Sequence, residues 1–295
     1  MALPKLAVIV ASLGRPDNLR VLLERLAVQT RKPDQVLLSL EKPEDASSYE
    51  DIPLSVEVIY GPRGLTRQRN RGLNALQPDI DIVLFCDDDY VPSKYTVEGV
   101  LNAFDAFPEI NGISGRLLAD GARGPGIPPA RAVAMVDAED ERLGAAPTPT
   151  KIGAMNGLYG CNMAMRMSAI GGQRFDEDIP LYGWLEDTDF TLRATPMQIQ
   201  TDAFFGVHCA EKVGRESRGA VLGYSQVANA IYIYRKGLIS IPRLAGLLLR
   251  PILNNHLKLL TPEPWIDRAG RARGNREAIK DLIRGCCHPH RVLSH

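Results

Sequence analysis

Three consecutive carboxylates, Asp87, Asp88 and Asp89, follow directly on the apolar run 82–86. Adjacent acids repel one another, so ionising all three requires positive charge close by. A hard divalent cation such as Mg²⁺ or Mn²⁺ would supply it and would also bridge to the oxygens of a diphosphate. The ordinary alternative is a turn before Pro92 whose acids cap the next helix, and the triplet alone does not separate the two. A second acidic group, Glu186, Asp187 and Asp189, follows Asp176, Glu177 and Trp184. Acids in a first helical turn complement the macrodipole; a positioned carboxylate is equally a suitable general base. In the segment 64–72, Thr66, Arg67 and Arg69 near a helix start offer donors and positive charge to a phosphate or a base; an Arg-rich exposed helix face is the plain alternative and the reading preferred for Arg71. His208 closes the apolar run 203–207, where a lone histidine is usually structural. Trp184 suits either core packing or stacking on a sugar ring.

The surrounding patterns say which elements carry these groups. Residues 6–12 read as a buried strand ending at Gly14, and Val21, Leu22, Leu23 and Leu26 then recur at helical spacing. Strands are expected at 35–40, 56–59 and 81–86, with a helix at 66–76. Ser93 reads as the cap of a helix running to about 107, followed by a strand over 110–118. Such alternation predicts an α/β fold: a doubly wound, mostly parallel sheet flanked by helices, with ligands at the carboxyl ends of strands. Residues 119–150, rich in Gly, Pro and Ala, read as one long irregular segment, either a cover for a site or a plain spacer.

Composition bounds the rest. The 295 residues are formally neutral, and the five cysteines show neither an even disulfide framework nor CxxC spacing, which points to a reducing cytoplasm. The apolar run 6–13 is too short to span a membrane. No repeat appears, and neutrality gives no reason to expect a nucleic-acid partner. Residues 231–295 hold 12 Lys/Arg against 4 Asp/Glu, whereas the preceding 230 hold 23 against 31. The tail is therefore a basic helical extension of an acidic body, with a catalytic region expected over 1–230 (halves at about 1–118 and 119–230) and the extension over 231–295. Within it, 243–260 places leucines at helical spacing around Arg243, Arg250 and Lys258, with Pro251 expected to kink or break the helix. That helix packs on protein or lies on an anionic membrane surface, and the later arginines would attract such a surface or a lipid diphosphate.

Several of these motifs resemble family 2 glycosyltransferases of the inverting GT-A type. Asp87 to Asp89 resemble the family's Asp-x-Asp motif; Arg69, Asn70 and Gly72 match its "ARNxG" helix; residues 8–16 resemble its opening strand and loop. Glu186, Asp187 and Asp189 after "FDE" are similar to its acceptor-side Glu-Asp-x-Asp motif, and Gly160, Cys161 and Asn162 fit upstream. The resemblance implies a nucleotide contacted by Ala11, Ser12, Arg15, Glu41, Arg67, Arg69, Asp87 and Asp88, and a Mg²⁺ or Mn²⁺ held by Asp89 and a late histidine, here His208. It implies Asp187 as base with Glu186 as runner-up, and Asn162, Trp184 and Asp189 near acceptor or donor sugar. Arg215 or Arg218 by themselves suit either a diphosphate clamp or an exposed basic turn. The second strand departs from the family pattern, with Glu41 in place of paired acids. The expected reaction moves sugar from a nucleoside diphosphate sugar, UDP-linked by preference, to a hydroxyl of a saccharide or lipid-linked acceptor in polysaccharide or glycolipid assembly, on the cytoplasmic side. A noncatalytic nucleotide-sugar or membrane-binding module and a nucleotidyltransferase are the alternatives, the latter without a Gly-rich triphosphate loop at the start of the chain.

Overall fold

A computed structural model describes residues 3–46, 49–210, 212 and 219–294. The chain divides into two compact units, one of Met1–Arg63, Arg67–Phe175 and Phe190–Glu211, the other of Gly64–Thr66, Asp176–Asp189 and Lys212–His295.

The first unit is built on one sheet. Strands β1 (Leu6–Ala11), β2 (Gln35–Leu40), β3 (Glu57–Tyr60) and β4 (Ile82–Asp87) pair in parallel in the order β3-β2-β1-β4. Beyond β4 the order continues through β8 (Asn162–Arg166), β6 (Gly112–Asp120), β9 (Gln198–His208) and β5 (Tyr90–Pro92), with β7 (Lys151–Ala154) also on β9. β8 enters antiparallel to both β4 and β6, so the parallel run stops there. This is the doubly wound α/β arrangement the alternation of patterns predicts.

Side chains alternate across a strand, and β1 and β4 are apolar on both faces because helices cover both. Leu6, Val8, Val10, Ile82 and Leu84 meet α1 (Pro16–Ala27) through Leu19, Leu22, Leu23 and Leu26, and α3 (Thr96–Ala106) through Val97, Val100 and Phe104. Ile9, Val83 and Phe85 face the other way, onto Leu73 of α2 (Leu65–Asn74), Ile170 of α5 (Met167–Ile170) and Phe190 of α6 (Glu186–Ala194). Each such fully buried aliphatic side chain contributes about 2 kcal/mol.

Residues 119–150 are not one irregular stretch. Pro129–Leu143 forms α4, with Pro129 at its start and Gly144 closing it at φ 69°. Ala132 and Val136 are buried, with Val133, Met135 and Leu143 half-buried beside them, and the Gly and Pro residues on either side masked this short stripe; the buried Asp140 also anchors the helix, accepting from the Ser93 hydroxyl, from the Lys94 amide at 3.1 Å and from Arg25 at 3.1 Å. Ser93 is thus not a cap, and the helix it was expected to open begins at Thr96. β9 is also longer than the run 203–207 suggests, because the mainly polar residues 198–201 continue the pairing with β6.

In the second unit, α7 (Gly219–Arg235), α8 (Ile241–Leu257) and α9 (Arg268–Ile283) pack around Tyr224, Val227, Ile231 and Ala278. α7 and α9 approach closely because Gly274 is bare: a Cβ there would stand 2.0 Å from the Ala220 carbonyl oxygen. Pro251 lies inside α8 without ending it. All five cysteines are free, and no described helix is long and apolar enough to cross a membrane.

Gly99 tests how tightly α3 seats on the sheet. Replacing an exposed helical glycine by alanine normally stabilises by about 1 kcal/mol. Here a Cβ would lie 2.0 Å from the Ala203 carbonyl oxygen of β9. Gly99→Ala is therefore expected to destabilise by roughly 1–3 kcal/mol, read as a lowered midpoint in urea unfolding; a raised midpoint would show that α3 does not pack this closely.

Candidate functional site

The acidic cluster forms where four strands end. Asp87 closes β4 opposite Ala11 of β1, Asp88 and Asp89 make the turn into β5, and β9 places His208 opposite Tyr90 on one side and Asp120 of β6 on the other. Asp87, Asp89 and His208 each offer one ligand atom, all within 4.8 Å of one another. Two carboxylates and an imidazole suit a hard or borderline divalent ion such as Mg²⁺ or Mn²⁺, so the donor set fits the metal the sequence implies.

Each member is held from behind. Arg69 is buried to 1% exposure, donates to Asp87 at 2.8 Å and to the Gly160 carbonyl at 3.0 Å, and lies over the Phe175 ring. These bonds hold Asp87 in position at the end of β4. Asp88 turns away from the cluster and accepts from Ser12 Oγ at 2.7 Å and from Arg15 at 3.1 Å; Arg15 also donates to Asp89 at 2.8 Å. The Asp88 carboxyl is pushed up to about 7, chiefly by burial, with the Arg15 charge opposing and the Asp89 charge adding to the rise.

His208 Nε2 stands 3.4 Å from Asp89, and its Nδ1 donates to Asp120 at 2.9 Å, with the Tyr159 hydroxyl 3.2 Å from the same nitrogen and 3.3 Å from Asp120. A carboxylate on Nδ1 fixes the ring and leaves Nε2 as the atom for a metal. Burial works against the charged imidazole, but hydrogen bonds to Asp120 and Asp89 and the charges of Asp89 and Asp87 outweigh it, raising His208 to about 10. Neither Asp120 nor Tyr159 stood out in the sequence, although Asp120, like Asp87, is an acid ending a strand.

The other expected residues fall as follows. Glu41 is half-exposed and contributes only its amide, which donates to Asp45 at 3.0 Å. Asp45 is the buried acid that organises both loops, accepting from Gly14 at 2.8 Å as well. Arg67 is exposed, and Arg71, read as merely exposed, donates to Ser39 and to the Leu40 and Pro62 carbonyls. Asn162 is fully buried under the cluster, donating to the Gly115 carbonyl. In the second unit Asp189 is fully buried, and Lys236 joins it to Asp176 at 2.5 Å each. Glu186 is buried and Asp187 half-buried at the start of α6, directly after Leu185, whose φ is 73°. A leucine in that region costs of order 1–2 kcal/mol, and such strain gathers at functional segments. Trp184 is half-buried, its carbonyl accepting from Asn229 at 2.7 Å. Arg215 and Arg218 lie outside the described residues.

A metal ion must displace the His208 proton. With the histidine raised to about 10, the protonated form competes at neutral pH, so affinity for Mn²⁺ should climb as pH rises and level off only above that value. Calorimetry in buffers of differing ionisation enthalpy should show release of about one proton per ion near about pH 8; no proton release there would contradict ligation by His208.

Residues 7–170 match the sequence profile described as Glycosyl transferase family 2. No curated protein matches the chain. Among solved structures, a mannosyltransferase from Pyrobaculum calidifontis, in complex with GDP-Man and Mn²⁺, aligns over 96% of this chain and 88% of that one, with TM-score 0.54 and 16% identity. Glucosyl-3-phosphoglycerate synthase from Mycobacterium tuberculosis, in complex with phosphoglyceric acid, aligns over 81% and 82%, with TM-score 0.51 and 14% identity. S. aureus TarS 1-349 with UDP aligns over 95% and 92%, with TM-score 0.50 and 16% identity; of the longer TarS structure the chain spans 44%. These identities establish a shared GT-A fold. The profile match, which covers more than half of the chain, establishes more: the protein belongs to glycosyl transferase family 2.

Proposed function

We propose that the protein is a metal-dependent, inverting glycosyltransferase that moves a sugar from a nucleoside diphosphate sugar to a hydroxyl of a saccharide or lipid-linked acceptor. The observation that carries this reading is the Asp87, Asp89 and His208 cluster at the strand ends of a family 2 chain. A divalent cation held there would neutralise charge on the departing diphosphate. Asp88, with Ser12 and Arg15, shapes the loop where the nucleotide sits, and Arg69 keeps Asp87 in place. UDP-sugars stand first among donors and GDP-mannose second, and Mn²⁺ and Mg²⁺ are the ions to compare.

On this reading Asp187 is the general base. Its carboxylate takes the acceptor's hydroxyl proton as that oxygen bonds to the anomeric carbon and the bond from carbon to diphosphate oxygen breaks on the opposite face. Supporting it, Asp189 is tied to Lys236 and Glu186 is buried, whereas Asp187 is the least enclosed of the three. The catalytic work is assigned to 1–230 and the basic extension 231–295 to acceptor handling at an anionic surface in polysaccharide or glycolipid assembly. On α8, Leu249, Leu253 and Leu257 are more than half exposed along one stripe, as a helix meeting lipid from the cytoplasmic side requires.

Incubation with a panel of nucleotide sugars and Mn²⁺ distinguishes the chemistries. Release of nucleoside diphosphate is expected; pyrophosphate would mean nucleotidyl transfer, and absence of turnover with every donor would mean a binding module. Asp89→Ala should abolish the Mn²⁺-dependent part of donor binding in calorimetric titrations, and retention of that part would refute the metal assignment. Asp187→Asn should keep donor affinity while transfer to acceptor falls by about 10²–10⁴-fold; unchanged turnover would remove Asp187 from the role of base.

A further inference from the structure

The second unit contains a cavity of about 520 Å³ that no part of the donor chemistry uses. Among the described residues its wall carries Arg243, Arg250, Arg268 and Arg271 together with Trp184 and Asn254, and no acid. Four guanidinium groups facing one space repel one another unless an anion joins them. They are not equivalent. Arg268 is already neutralised, donating to Glu263 at 2.8 and 2.9 Å, and its third bond, 2.9 Å to Asn255, fixes it to the buried chain Asn255, Gln226 and Asn275 at the cavity floor. Arg250 is exposed at the rim. Arg243 is only half-buried as a whole, yet its Nη1 is buried and has no hydrogen-bond partner. A buried charged donor without an acceptor is costly, and an acceptor supplied by a ligand removes that cost.

Arg243, Leu247, Arg250 and Asn254 occupy one face of α8 at intervals of four, three and four residues. A second face carries Leu244, Leu248 and Ile252 into the packing with α7 and α9. The third is the exposed stripe of Leu249, Leu253 and Leu257. The arginine face therefore lies beside the exposed leucines on the same helix.

We propose that this cavity binds a phosphoryl or diphosphate group carried by the acceptor, with Arg243 and Arg250 as its ligands and Trp184 as the surface for the attached sugar. Guanidinium groups pair with phosphate oxygens through two parallel bonds, and an indole beside them fits a pyranose ring. The assignment rests on the transferase reading, to which it adds an acceptor class. Asp187 belongs to the same unit; burial lowers the Arg243 guanidinium pKa, and the Asp187 charge opposes that shift without cancelling it. The anion site and the proposed base thus share one charge network.

The test uses the full chain and inorganic pyrophosphate, titrated by calorimetry in EDTA so that metal-dependent donor binding does not contribute. Wild type should bind, and Arg243→Gln and Arg250→Glu should each weaken binding by about tenfold or more. Arg250 is exposed, so that variant does not depend on repacking. Phosphatidylcholine vesicles with and without a polyprenyl diphosphate then separate the two sources of the group. Retention only on the doped vesicles, lost in Arg250→Glu, identifies a lipid-borne diphosphate; arginine-dependent pyrophosphate binding without vesicle retention identifies a water-soluble phosphorylated saccharide. Pyrophosphate heats that are absent, or the same in wild type and both variants, overturn the proposal. Metal-dependent release of nucleoside diphosphate, measured separately on wild type, would in that case leave the transferase reading standing.

Discussion

Mutual repulsion among Asp87, Asp88 and Asp89 is the constraint around which the first unit is arranged. Three carboxylates cannot sit ionised at one strand end without compensating partners, and Arg15 serves two of them, Asp88 at 3.1 Å and Asp89 at 2.8 Å. Arg69 answers Asp87 from below the sheet, Arg15 and Ser12 draw Asp88 aside, and His208 faces Asp89. The two that remain turned toward His208 are those able to share an ion. The middle acid is thereby removed from the donor set, and its raised pKa reflects the burial that accompanies this turn.

The sheet order makes that arrangement possible. Parallel strands β1 and β4 bring Ala11 level with Asp87, so the β1 loop carrying Ser12 and Arg15 reaches the acids. β5 and β6 flank β9, and their pairing puts Tyr90 and Asp120 on either side of His208. The histidine thus meets Asp89 with one nitrogen and Asp120 with the other, and the Tyr159 ring packs edge-on against it, which together orient the imidazole. α4 belongs to the same scheme: Asp140 joins it to Ser93 and Arg25, next to the strand that follows the acids.

In the second unit charge is distributed by pairing. Lys236 neutralises Asp176 and Asp189 together, and the Tyr232 hydroxyl donates to Asp176 at 2.9 Å. Asp187 and Arg243 are left in electrostatic relation on separate elements. α8 serves three environments at once, with one face packed, one lining an arginine cavity and one exposed. The expectation that its leucines either pack or face outward is met on both counts, because different leucines do each.

The fold class, the strands 6–11, 35–40 and 82–87, and the helices after them were legible because apolar periods of two and near four are local properties of the chain. The acid triplet was legible as well, since a strand ending in carboxylates is written in consecutive residues, and the family resemblance rests on such short runs. What the sequence could not determine is which groups meet. Asp120 and His208 are 88 residues apart, Arg15 and Asp89 are 74 apart, and Arg25 and Asp140 are 115 apart. α4 was hidden for a related reason: its short apolar stripe lies between runs of Gly and Pro, and its acids Asp137, Glu139 and Asp140 find their partners, Arg25 and Arg116, outside the helix. The burial of Arg69 beside Asp87, the acceptance by Asp45 of the Gly14 and Glu41 amides and the gathering of four arginines around one cavity are likewise decided by strand register and helix packing. Electrostatic partners are chosen by proximity in space, and only the tertiary structure sets that proximity.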